Sequence, residues 1–165
     1  MRTSLLLNFC SYLENTPISL SIQGSSWVIP AVQTSHLLAI AAVIIASLMI
    51  DLRLLRISGI ESSITIVMSR YASIIWIAIP VLAVTGAVMI IAEPARSLAN
   101  PAFQLKMIML MAVLSITFWM QRMSHHNSFF WNASPSKRRL ASILALCSIV
   151  LWVGIVSCGR WIAYT

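Results

Sequence analysis

One histidine, His36, lies in the middle of the chain's first long apolar stretch. Residues three, four, seven and eleven apart share a face of an α-helix. From His36 that face collects Ile29, Gln33, Ile40, Val43, Ser47 and Asp51. Gln33, His36, Ser47 and Asp51 are most of the stretch's polar side chains, so the stripe is expected to face a helix-bundle interior and not lipid. A later apolar stretch repeats the pattern with Lys106, Val113, Thr117 and Gln121 on one side. Two polar stripes predict a shared interior site. A neutral imidazole is the usual protein ligand of haem iron, so His36 is read as an axial ligand of a b-type haem. The alternative is a neutral packing histidine hydrogen-bonded to Thr85 or Ser157, since polar contacts commonly join membrane helices. Glu14, Asp51, Glu61 and Glu93 all fall near the ends of apolar stretches, so no buried carboxylate chain for proton relay is expected.

Depth sharpens the haem expectation. Counted from Trp27, His36 lies about 13 Å into the bilayer at ~1.5 Å per residue. Lys106 opens one apolar stretch and Arg160 closes another near the same interface, where both could pair with propionates. The plainer account of these two cations is snorkelling to the headgroups. Gly86, next to Thr85 at a comparable depth, would leave room for a flat macrocycle, and Gln33 could accept the second ring N–H of a ligating His36. His125 and His126 fall about 18 Å further along the helix than the level of His36 and are expected at a loop or interface. Met107, Met109, Met111, Met120 and Met123 raise reduced copper, although methionine is also a flexible core filler. Met89 or Met111 could supply a sixth haem ligand.

The elements that must position these groups follow from composition. Hydrophobic residues make up 59% of the 165 and charged ones 9%, which excludes a water-soluble domain. A bilayer core about 30 Å thick needs roughly 20 apolar residues per helical span. The spans read as about 27–50, 71–92, 103–122 and 140–161. Backbone groups in lipid must pair internally, so all are α-helices. The expected fold is all-α: a single integral-membrane domain, a four-helix up-down bundle, preceded by an interfacial segment over 1–26. That segment is interrupted at Thr16-Pro17 and reads as one or two short amphipathic helices.

The net charge of +7 invites nucleic acid, but its placement does not. Arg53, Arg56, Arg70, Arg122, Lys137, Arg138 and Arg139 fall on one side of the bilayer, and Arg2, Arg96, Lys106 and Arg160 on the other. Lys/Arg-rich short loops stay in the cytoplasm. Both termini are therefore expected in the periplasm of a bacterium, the chain crossing its cytoplasmic (inner) membrane several times. The partners are the lipid bilayer and a larger membrane complex or a second copy, with no nucleic acid. Cys10, Cys147 and Cys158 form no covalent haem motif. A Cys10–Cys158 disulfide is possible on the oxidising side, isolated small residues being the simpler account.

Trp27-Val-Ile-Pro-Ala-Val-Gln-Thr-Ser-His36-Leu-Leu-Ala, followed by Asp51-Leu-Arg-Leu-Leu, resembles the opening of a bacterial family of four-span membrane proteins of unknown function. Asn100-Pro-Ala-Phe-Gln-Leu-Lys106 and Gly159-Arg160-Trp161-Ile-Ala-Tyr164 resemble the same family's third and fourth helices. More distantly the layout is similar to the copper-resistance D family and the four-helix bacterial protoporphyrinogen oxidases. In those oxidases a first-helix His and a third-helix Lys are linked to haem, and His36 and Lys106 hold the matching places. The resemblance implies a haem-type site and not the oxidase activity. The expected function is a small b-type haem protein passing electrons within or beside a membrane redox complex, more an electron-transfer or accessory subunit than a stand-alone enzyme. The alternative is a non-catalytic accessory subunit without a cofactor.

Overall fold

The computed structural model describes residues 2–57, 63–98, 100–126 and 134–161, apart from the side chains of 2–7, 96, 125, 126 and 161. These residues form α1 (Arg2–Glu14), α2 (Pro17–Gln23), α3 (Val28–Leu54), α4 (Ile64–Ala92), α5 (Pro94–Leu98), α6 (Pro101–His126) and α7 (Pro135–Trp161). Helices α3, α4, α6 and α7 are each long and apolar enough to cross a membrane. Together they make the all-α four-helix up-down bundle that the composition demands. α3 packs along α4 and α7, α6 packs along α7, and α4 meets α6 to close the ring.

Helix starts are set by local chemistry. Ser63 Oγ accepts from the Ile66 amide at 3.4 Å, and Asn100 Oδ1 accepts from Ala102 N at 2.9 Å. Pro101 and Pro135 occupy first positions, where a missing N–H costs nothing. These signals carry α4 and α7 beyond the apolar spans. α4 begins at Ile64 where hydropathy alone expects about 71, and α7 at Pro135 where it expects about 140. A helix continues past the hydrocarbon wherever capping permits, and span length does not record that.

Pro80 lies inside α4. It removes one intrahelical donor and leaves the carbonyl of Trp76 without its usual partner. The core runs through Val43, Ile50, Ile75, Val113, Met120 and Trp152, all buried. Outward, Leu37, Ile77, Ile108 and Val150 are well exposed. Such an apolar girdle requires contact with lipid.

α2 closes one end of the bundle. Thr16 caps it and Pro17 opens it. Its Ser19, 0% exposed, donates to the Ile91 carbonyl at 2.8 Å. Gln23 Nε2 donates to the Ala92 carbonyl at 2.9 Å and to Ser19 Oγ at 3.0 Å. The last carbonyls of a helix have no partner within it, and here side chains from α2 supply the missing donors to α4. α5 follows directly, between the second and third spanning helices. α1 packs on α5.

Candidate functional site

His36 is half-buried on α3 and faces α4. Its Nδ1 stands 2.7 Å from Thr85 Oγ1. The same hydroxyl lies 2.6 Å from the Val81 carbonyl one turn back. Thr85 has one proton, and the carbonyl can only accept. The threonine therefore donates to Val81 and accepts from His36, which puts the imidazole proton on Nδ1. Nε2 keeps its lone pair and has no hydrogen bond among the described residues. Ser157, the other partner considered for His36, donates to Val153 O at 2.8 Å instead.

All four spanning helices meet at this end. A Cβ on Gly86 would stand 3.5 Å from His36 Cε1, and one on Gly159 would stand 3.9 Å from Lys106 Nζ. Lys106 is half-buried and within electrostatic reach of both His36 and Cys158. Thus α3 supplies His36, α4 Thr85 and Gly86, α6 Lys106, and α7 Cys158 and Gly159.

The remaining expected residues divide. Gln33 shares His36's face by helical counting, yet it is exposed and does not bond the ring; Thr85 holds that place. Arg160 is exposed at the end of α7. The His125 and His126 side chains lie outside the described residues. Met109 packs against Gly154, where a Cβ would be 3.0 Å from its Sδ, while Met107 and Met111 are exposed. The methionine run therefore points to both the interior and the outer surface of the bundle. Cys10, Cys147 and Cys158 are free thiols, so Cys10 and Cys158 do not pair. Among the described residues no group of three or more His, Cys, Asp or Glu side chains could hold a metal.

A second polar group lies about 22 Å further along α3 at ~1.5 Å per residue. Asp51 is only 2% exposed, so the inward-facing stripe of α3 stays covered as far as the helix end. Ser47 and Ser148 are the polar side-chain neighbours of its carboxyl. Trp152 Nε1 donates to Ser47 Oγ at 2.8 Å, and the two serine hydroxyls are 3.5 Å apart. The α7 half of this network was legible: Ala141, Ala145, Ser148, Trp152 and Ile155 recur every three or four residues, and all are buried.

Four apolar spanning helices with an exposed lipid girdle define a multi-pass integral-membrane protein. Residues 22–165 match the Family of unknown function (DUF6644), and the chain belongs to that family. No curated protein and no solved structure matches it.

Proposed function

We propose that this chain is a small b-type haem protein of the bacterial cytoplasmic membrane, with His36 Nε2 as an axial ligand, passing electrons beside a larger redox complex. The observation that carries the reading is the fixed tautomer. A ligating histidine normally gives its other N–H to an acceptor, which orients the ring and raises its basicity. The His36–Thr85–Val81 chain does this and leaves Nε2 available.

The donor set fits the group. An imidazole with a free lone pair stands in a largely apolar bundle, beside Gly86 and within reach of the Lys106 ammonium. Haem bound there would supply one-electron chemistry. The chain's own residues would hold and orient it: His36 through Nε2, Thr85 through Nδ1, and Lys106, with Arg160 nearer the end of α7, by charge toward propionates. The low-dielectric surroundings would set the potential. By the positive-inside bias, both termini and residues 93–102 face the periplasm and the 51–70 and 122–139 connections the cytoplasm. Labelling of a cysteine placed at Ser134 from the outer side would refute that orientation.

The test is an absorption spectrum of the detergent-purified chain. A sharp Soret band that vanishes in His36→Ala while the helices persist is the expected result. Absence of the band from protein expressed with ample haem would sink it. The His36–Thr85 bond also ties α3 to α4 in its own right, which favours the second reading, a cofactor-free accessory subunit. A colourless preparation that purifies with other membrane subunits would establish that reading.

A further inference from the structure

We propose that Asp51 is a buried proton-binding site near the end of α3, its carboxyl kept as the neutral acid by exclusion from water beside Ser47, Ser148 and Trp152. The proposal does not rest on haem, since the group lies at the other end of α3.

Asp51 is 2% exposed, Ser47 2% and Ser148 1%, so water does not solvate the carboxyl. An isolated carboxylate in such a place is far costlier than a neutral acid. Ser47 and Ser148 are its polar neighbours, and neither carries a charge. Asp51 Oδ2, however, is buried with no hydrogen-bond partner among the described residues. A carboxylate would want donors on both oxygens. A buried oxygen without a donor is tolerated by a neutral acid far better than by a carboxylate, whose charge it would leave unanswered.

Among the described residues, no charge from a neighbouring element replaces the proton. Counting from the His36–Thr85 bond, Asp51 is level with about Arg70 and Tyr71 on α4. Arg70 is exposed, and Tyr71 packs on the apolar core. On α7 the nearest titratable group is Cys147, which is exposed and faces away from Ser148. On α3 itself Arg53 and Arg56 follow, and the groups that act on the Asp51 carboxyl are burial, Ser148 and Ser47.

A metal cation is the poorer occupant. Hard cations such as calcium take about 6–8 oxygen ligands. The network offers two carboxyl oxygens and two hydroxyls, one of them already accepting from Trp152. The surrounding backbone carbonyls are engaged within helices. The balance is therefore simple: carboxylate plus proton gives the acid, and no other bond changes.

Asp51 is the only aspartate in the chain, so it can be read in the wild type. The full chain, made with aspartate carrying a carbon-13 carboxyl and placed in phosphatidylcholine vesicles, is examined by infrared spectroscopy at neutral pH without sodium. The expected result is an isotope-shifted carboxylic-acid C=O band that moves in heavy water. It should shift to higher frequency in Ser148→Ala, which removes one polar neighbour and keeps the fold by circular dichroism. Carboxylate bands alone at neutral pH would overturn the proposal. So would an acid band that gives way to carboxylate bands when sodium is added, which would make the site a sodium site. A band unmoved in Ser148→Ala would separate the proton from this network and equally refute it.

Discussion

The two polar regions of α3 lie on one helical face, yet the bundle treats them differently. At His36 the ring is half-buried, makes one hydrogen bond, and keeps a nitrogen free beside a half-buried lysine. At Asp51 the group is sealed by Ser47, Ser148 and Trp152. The face of a helix decides that a polar residue points inward. The neighbouring helix decides whether it is sealed or left with a free valence. α4 offers His36 a threonine and a glycine, which orient without enclosing. α7 offers Asp51 a serine and, through Ser47, a tryptophan, which enclose.

The comparison breaks most visibly at His36. His36→Ala is expected to abolish the Soret band completely, while a His125→Ala, His126→Ala double variant keeps it; colour lost only in the double variant would move the site to the other end. Thr85→Val keeps the histidine but removes its acceptor, and haem affinity should fall roughly 10–100-fold, the usual loss for an orienting partner. Retention measured by titration with apomyoglobin reads this, and an unchanged affinity would remove Thr85 from the site. Ser47→Ala should leave affinity alone and destabilise the bundle by about 1–2 kcal/mol, because the Trp152 N–H loses its buried acceptor. Unfolding in mixed detergent micelles checks it, and a haem defect there would mean that the two regions are coupled. Lys106→Gln and Arg160→Gln should have the smallest effect, a shift in midpoint potential with the helices intact. Potentiometry that finds no shift in either would leave both cations as snorkelling anchors.

The sequence made the bundle legible because membrane physics allows few alternatives. Spans of about 20 apolar residues must be helices, and connections this short must run antiparallel. His36 and its possible partner Thr85 were legible by depth. What periodicity could not give was the third dimension. Gln33 and Thr85 were equally good partners for His36 on paper, and only the α3–α4 register separates an exposed glutamine from a bonded threonine. Asp51 was legible as part of the inward stripe, but not how tightly it is closed, because that depends on α7 rising past the end of α3 and covering it. The extra turns at Ile64 and Pro135 were written in Ser63, Ser134 and Pro135, signals that a hydropathy window averages away.

The side-chain cap on α4 has a consequence for the order of assembly. Ser19 and Gln23 leave the ribosome early, but the carbonyls they satisfy belong to residues 72 and 69 positions later. Until α4 has been threaded across the bilayer, α2 has no seat, and the end of α4 has only water to answer its open carbonyls. A helix made before α4 thus finds its place only after it, closing the bundle like a clasp. A chain shortened to start after Gln23 should still insert its four spans and yet fray at Ile91 and Ala92, which amide exchange along α4 would reveal.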